Sequence, residues 1–327
     1  MKRREFITLL GGAATAWPLA ARAQKAPARI GFLASGAATS ASSAYLVAAI
    51  KQGLRDNSLI EGRDYVLDTR FAGGNYVRFP ELARELAQVN VSVILANTIV
   101  SVRAAQRLTP PVPVVMTSIN DPVGAGLIAS LARPGGHTTG MANLNQDVTP
   151  KLVEHLRAVL PKATVIAALL NPSNPTNPVF LDNLRTQAGP IGITVLPFEM
   201  KSPSELDNAF SEIVARRPDA LQIIADSGTL DMMDQIAAKA LLHRLPTCAT
   251  DAEYPLFGGF MAYGAPRSQL FVRSAYYVKK ILEGAKPGDL PVEQPTRVEL
   301  WVNLKTAKAL DISIPSTVLA VADRVIE

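Results

Sequence analysis

Short apolar runs alternate with stretches of helical periodicity from residue 29 almost to the end of the chain. Runs such as residues 29–34, 91–96 and 112–116 are typical of buried strands, whereas the segments between them repeat apolar side chains every three or four residues, as amphipathic helices do. Strand and helix that alternate across short loops predict parallel sheets with right-handed crossovers. The expected fold class is therefore α/β.

The alternation falls into two series. The first has predicted strands at residues 29–34, 65–70, 91–96 and 112–116, and the second at 165–170, 193–198, 220–225, 247–249 and 259–263. A short strand at residues 138–142 stands between them. Each series has enough strands for a doubly wound sheet of its own, so the sequence predicts two lobes.

Residues 114–145 carry the change from one series to the other. A buried strand leads to polar Ser118, Asn120 and Asp121, and Pro122 follows directly. Asp before Pro is a helix start signal, which predicts a helix over residues 123–131 that ends before Pro134. Polar side chains at the carboxyl end of a parallel strand are where open α/β sheets bind ligands.

Polar loops follow the predicted strands of both series, and many of them precede helices. Free N–H groups at helix starts suit a carboxylate, and Asp121, Asp226 or Asp251 could hold an ammonium group, so the pattern predicts a zwitterionic or carboxylate ligand. Two of the candidate residues also have a structural interpretation. Asp121 could cap a helix, and Tyr254 could pack in the core rather than stack against a ligand. The candidate ligand-binding residues are Ser35, Asn97, Thr98, Ser118, Asn120, Asp121, Asn171, Asn174, Asp226, Ser227, Asp251 and Tyr254.

The first 23 residues are typical of an export signal. Arg3 and Arg4 shortly before Phe6 are typical of a twin-arginine signal. The apolar run that follows is too short to span a bilayer. The small residues Ala21 and Ala23 predict cleavage after Ala23. Cleavage removes four basic residues and one acid, which lowers the net charge from +5 to +2. The basic balance therefore gives no support to nucleic-acid binding, and the predicted location is the periplasm.

The sequence offers little for catalysis or for a cofactor. It has no Gly-x-Ser-x-Gly, no Gly-rich phosphate loop and no Cys–His signature, and its three histidines are scattered. The single cysteine, Cys248, is predicted to be a buried thiol. We therefore expect no enzyme, no catalytic residue, no metal and no cofactor.

Two blocks resemble a known family. Residues 121–136 (DPVGAGLIASLARPGG) with Thr138-Thr139-Gly140, and the tail at residues 290–309 with residues 322–326, are similar to the ABC-transporter substrate-binding proteins whose best-understood relatives bind tryptophan and tyrosine. The resemblance implies a periplasmic binding protein type I fold, with three crossover strands that join lobe I (residues 28–142 and 265–295) to lobe II (residues 143–264 and 296–327).

The same resemblance implies a function. It predicts a monomeric extracytoplasmic receptor that closes on a small molecule, an amino acid with aromatic amino acids among the candidates, and delivers it to permease subunits in the inner membrane. A periplasmic sensor that signals to a membrane receptor kinase is the alternative, which neighbouring genes would distinguish. The effector-binding half of a transcription regulator shares the two-lobe plan, but it would have a DNA-binding helix pair where this chain has an export signal.

Overall fold

The computed structural model describes residues 26–327, except for the side chain of Ser227; the predicted export signal lies outside this range. Two sheets organise the described chain. Helices cover both faces of the sheets, so the predicted α/β class with two doubly wound lobes is confirmed.

The first sheet is parallel throughout and has the strand order β2-β1-β3-β4-β5. Its strands are β1 (Ala28–Ala34), β2 (Tyr65–Phe71), β3 (Val93–Ala96), β4 (Val114–Ile119) and β5 (Thr138–Ala142). The helices that follow its first strands are α1 (Ala41–Asp56), α2 (Phe79–Gln88) and α3 (Ile99–Gln106).

The second sheet has the strand order β12-β11-β10-β9-β8-β6-β7. Its strands are β6 (Val165–Leu170), β7 (Thr194–Glu199), β8 (Ala220–Ile223), β9 (Thr247–Ala249), β10 (Met261–Gly264), β11 (Glu299–Asn303) and β12 (Arg324–Ile326). The remaining helices are α4 (Asn145–Val159), α5 (Asn177–Ala188), α6 (Leu206–Ala215), α7 (Ser227–Leu230), α8 (Met233–Leu242), α9 (Arg267–Leu282), α10 (Leu304–Ala309) and α11 (Ser316–Leu319).

Helix α9 completes the first lobe although it follows the second series in the chain. It packs beside α1 on one face of the first sheet, where Phe271 meets Phe32 edge to face with ring centroids 6.0 Å apart. The helices approach so closely that a Cβ on Gly53 would lie 2.2 Å from the carbonyl oxygen of Val272. A glycine is therefore what lets α9 reach this face.

Three connections join the lobes: residues 143–144 after β5, residues 265–266 after β10, and residues 294–298 before β11. The first and third run side by side, since the N–H of Ala142 donates to the carbonyl of Glu293 at 2.8 Å. The third connection returns to the second sheet where β10 leaves it. For this reason β11 pairs antiparallel with β10, whereas every other strand pair is parallel.

The predicted helix over residues 123–131 is wrong, because this segment consists of turns. Asp121 has a positive φ of 38°, and its carboxylate accepts the N–H of Gly124 at 2.9 Å. Gly126 also has a positive φ, 67°, which no helix accommodates. The two glycines lower helix propensity enough for the aspartate to close a local turn instead.

Candidate functional site

The candidate site lies between the lobes, at the carboxyl ends of the parallel strands. A cavity of about 730 Å³, which includes space open to solvent, is lined by residues of both lobes. In the first lobe they follow β2, β3 and β4 or lie at the start of α9, and in the second they follow β6, β8 and β9. The sheet order brings these strand ends together, as expected for an open α/β fold.

The wall formed by the first lobe consists mainly of neutral donors. Thr98 caps α3: its hydroxyl accepts the N–H of Ser101 at 2.8 Å, and the Ser101 hydroxyl accepts the N–H of Thr98 at 3.0 Å. The earlier N–H groups of the first turn belong to Ile99 and Val100, which line the cavity. The Nδ2 atom of Asn120 is buried and has no hydrogen-bond partner among the described residues. This wall therefore has donors to offer an anionic group.

The wall formed by the second lobe carries buried carboxylates. Asp226 accepts the side-chain amides of Asn171 at 3.0 Å and Asn174 at 2.9 Å, and the N–H of Gly228 at 2.9 Å. Its fourth donor comes from the other lobe, because the hydroxyl of Tyr76 lies 2.9 and 3.0 Å from the two carboxylate oxygens. Burial raises the pKa of Asp226, and these hydrogen bonds oppose that rise.

A second group of charges surrounds Arg267, the first residue of α9. Its Nε lies 3.1 Å from Oδ2 of Asp251, its Nη1 lies 3.8 Å from Oδ1 of Asp231, and its Nη2 donates to the hydroxyl of Ser42 at 3.0 Å. Burial raises the pKa of Asp231 to about 6 although the Arg267 charge and the Ser35 hydroxyl oppose it. Burial also raises the pKa of Asp251, against the pull of Arg267.

Polar contacts hold the lobes together around this cavity. Ser35 of the first lobe donates to Asp231 of the second. Farther out, Glu253 of the second lobe accepts the hydroxyl of Tyr45 at 2.8 Å and the N–H of Ser268 at 2.9 Å, both from the first lobe. The polar contacts between the lobes are therefore hydrogen bonds and the ion pairs of Arg267, and these groups can exchange their partners for water when the lobes separate.

The structure brings most of the predicted site residues together. Those that line the cavity are Asn97, Thr98, Ser118, Asn120, Asn174, Asp226 and Asp251. Ser35 and Asn171 stand one step behind them: Ser35 exchanges two hydrogen bonds with Asn97, at 2.8 and 3.1 Å, and Asn171 donates to Asp226. Ser227 opens α7, and its side chain is outside the described atoms.

Two predicted residues lie elsewhere. Asp121 is exposed and closes the turn after β4 instead of facing the cavity. Tyr254 is fully buried in the core of the second lobe, where its hydroxyl donates to Thr247 at 2.8 Å. The core interpretation of Tyr254 is therefore the one that the structure supports.

The predicted site residues left out five polar residues that line the cavity: Tyr76, Asn143, Asn145, Thr176 and Arg267. Asn143 lies in the first interlobe connection, and Asn145 begins α4 directly after it. Arg267 follows Pro266 at the second crossing and opens a helix, a position where the helix dipole disfavours a cation. A cation at the N-terminus of a helix indicates that acidic partners lie near its guanidinium group.

In the part of the chain that the structure describes, no group of three or more His, Cys, Asp or Glu side chains is placed to hold a metal ion. Within residues 26–327, none of the helices combines the length and the apolar character that a bilayer-spanning segment needs.

The fold and the cavity define a two-lobe α/β binding protein. The family model described as "ABC transporter substrate binding protein" matches residues 39–326. The chain belongs to this family.

Individual proteins are also similar to this chain. The chain is 28% identical over 262 residues to the tyrosine-binding protein of Clostridioides difficile (strain R20291), a match that covers 80% of this chain and 75% of that one. A conserved domain protein from Vibrio cholerae has a TM-score of 0.82 at 25% identity over 91% of this chain and 99% of its own. The ABC domain in complex with L-Trp from Streptococcus pneumonia has a TM-score of 0.81 at 24% identity over 92% of this chain and 100% of its own.

Proposed function

We propose that this protein is the exported receptor of an ABC importer, and that it closes on an amino acid in the interlobe cavity. The observation that carries the proposal is the polarity of the cavity: the wall of the first lobe offers hydrogen-bond donors, which are neutral except for Arg267, and the wall of the second lobe carries carboxylates. An α-amino acid presents an anion and a cation a few ångströms apart, so it complements both walls at once.

The names of the relatives support the ligand class. One is a tyrosine-binding protein, and one solved structure contains L-Trp. In the cavity of this chain, Tyr76 and Phe271 are the aromatic side chains among the described lining residues. A side chain of the ligand would therefore pack mainly on aliphatic residues such as Ile99, Val100 and Leu230.

The working cycle would be a hinge motion. The three interlobe connections can bend while the sheets stay rigid, and a ligand that contacts both walls favours the closed arrangement. The closed receptor then docks on permease subunits in the inner membrane. A monomer suffices for this cycle, because one chain supplies both walls.

Export is part of the proposal. The signal at residues 1–23 would direct the folded chain across the membrane and be cleaved after Ala23. Expression of the full-length precursor followed by intact-mass analysis of the periplasmic protein tests this: the expected N-terminus is Gln24. Replacement of Arg3 and Arg4 by Lys should leave the precursor in the cytoplasm, whereas full export of that variant would exclude the twin-arginine route.

Ligand binding is tested on the protein purified from the periplasm. Thermal shift is measured with each of the twenty amino acids, with deaminated acids and with decarboxylated amines. We expect stabilisation by at least one amino acid, and X-ray scattering with and without that amino acid should show a smaller radius of gyration when it is bound. Failure of every amino acid to shift the melting temperature would overturn the proposed ligand class.

The importer role has its own test. Deletion of the gene should abolish uptake of the stabilising amino acid in labelled form, and a plasmid copy should restore it. Normal uptake in the deletion strain would contradict the transport role.

A further inference from the structure

The described residues of the cavity wall include two acids, Asp226 and Asp251, and these two are held very differently. Each side chain is almost completely buried, with 3% of its surface exposed. The structure shows which of them has room for another hydrogen bond. This matters because an ammonium group must find a carboxylate oxygen that is not already occupied.

Asp226 is saturated. A carboxylate offers about four lone-pair sites, and four donors occupy them: the amides of Asn171 and Asn174, the N–H of Gly228 and the hydroxyl of Tyr76. Because Tyr76 belongs to the other lobe, this acid also ties the lobes together. A ligand ammonium at Asp226 would have to displace one of these donors.

Asp251 is not saturated. Its Oδ1 accepts the N–H of Glu253 at 3.0 Å, and the main-chain N–H of Arg267 also approaches the carboxyl group, but the buried Oδ2 has no hydrogen bond of good geometry among the described residues. Arg267 stands 3.1 Å away with its Nε, yet that Nε has no hydrogen-bond partner either, so the two groups are close without being aligned. A buried acceptor left in this state costs free energy that a ligand donor can recover.

The charge around Asp251 favours a cation over an anion or a neutral donor. The charged groups that act on it are Arg267 from α9 and Glu253 from its own loop, and Asp231 lies on the other side of the guanidinium, 3.8 Å from Nη1 of Arg267. When the carboxyl groups are ionised, one positive charge stands among three negative charges. A ligand cation corrects this balance in a site where water screens it little.

We infer that Asp251, positioned by Arg267, is the anchor for the ligand's ammonium group, and that Asp226 acts instead as a closure residue. The inference rests on the proposed function, since it assumes an amino-acid ligand in this cavity. It predicts two different signatures. Asp251 contributes only to ligands that carry the ammonium group, whereas Asp226 contributes to every ligand that needs the closed form.

The experiment compares the affinities of matched ligands by calorimetry. One pair is L-tyrosine with 3-(4-hydroxyphenyl)propionate, the second is L-tryptophan with 3-(indol-3-yl)propionate, and the best amino acid of the thermal-shift panel is added with its deaminated acid. The wild type should prefer the amino acid roughly tenfold to a hundredfold. Asp251→Asn should lose most of that preference. The matched Asp226→Asn should bind both members of a pair more weakly and keep the preference.

The outcomes separate the two proposals. A wild type that binds no amino acid overturns the proposed function and this inference with it. A wild type that binds an amino acid but no better than its deaminated acid overturns this inference alone, as does an unchanged preference in Asp251→Asn or a preference lost only in Asp226→Asn.

Folding is controlled separately. Asp251→Asn leaves Arg267 with less opposing charge, so each variant is checked by circular dichroism and thermal melting. The double variant Asp251→Asn with Arg267→Gln restores the wild-type net charge of this group without restoring the carboxylate of Asp251, and it should also show no preference for the ammonium group. A restored preference in the double variant would contradict the assignment.

Discussion

The two walls of the cavity lie at equivalent positions in their lobes but carry different chemical groups. Both lie at the carboxyl ends of parallel strands, but the first lobe presents neutral donors around Thr98 and Asn120, and the second presents Asp226 and Asp251. The wall of the first lobe also includes Arg267, carried by α9 from a distant part of the sequence. The comparison shows that lobes of the same fold can carry different polar groups at the same strand ends. We expect this difference between the two walls to set the orientation of a bound ligand.

The largest expected effect concerns the packing that brings Arg267 to the site. Gly53→Ala places a Cβ 2.2 Å from the Val272 carbonyl and should force α1 and α9 apart, with a loss of about 3 kcal/mol in the free energy of unfolding. Urea unfolding measures it. Gly189→Ala, where no atom lies within 4 Å of the added Cβ, is the control and should be nearly neutral. Equal stability of Gly53→Ala and wild type would show that α9 does not depend on this close contact.

The next-largest expected effect is the pH dependence of stability that the buried Asp231 causes. Burial raises the pKa of Asp231 from 3.8 to about 6, so the folded state holds this proton more tightly than the unfolded state. The carboxyl group therefore costs stability as pH rises from about 4 to 6, and the cost is complete above that window. Two pH units correspond to about 3 kcal/mol.

Urea unfolding of Asp231→Asn at pH 4 and pH 7 tests this cost. Relative to wild type, the variant should gain about 2–3 kcal/mol between the two values. Asp219→Asn is the control. Burial acts on Asp219 too, but the N–H groups of Thr164 and Val165 outweigh it and lower the pKa, so the difference between this variant and wild type should stay nearly constant over the same window. A flat profile for Asp231→Asn would mean that this carboxyl group titrates normally in the folded protein.

The donor wall has its own prediction. Asn120→Ala removes a buried Nδ2 that has no hydrogen-bond partner within residues 26–327, so stability should change little while affinity for an amino acid falls roughly tenfold or more. Calorimetry with the amino acid and with the corresponding amine, which lacks the carboxylate, separates the groups. Equal losses for both ligands would mean that Asn120 does not contact the carboxylate.

Sequence patterns predicted β1 to β10 and the two-lobe plan because buried parallel strands are local apolar runs, but they did not predict β11 and β12. They failed where the outcome depends on distant partners. Asp121 resembled a helix cap, but two nearby glycines favoured a turn. Arg267 was missed because its role depends on α9 returning to the first lobe, and no local pattern shows that it will meet Asp231 and Asp251.

The smallest expected effect tests the contact that joins the walls. Tyr76→Phe removes the hydroxyl that binds both oxygens of Asp226 and accepts the N–H of Gly228 at 2.9 Å, so the closed arrangement should lose about 1 kcal/mol. Affinity for the amino acid and for its deaminated acid should fall by the same factor, about fivefold, because both need closure.

Scattering should then show a larger radius of gyration for the ligand-free variant than for wild type. Tyr263→Phe, on β10 beside His155, keeps the interlobe contact and should change neither quantity. If Tyr76→Phe weakened only ligands that carry an ammonium group, Asp226 would be a ligand anchor, and the division of roles between the two acids would have to be reversed.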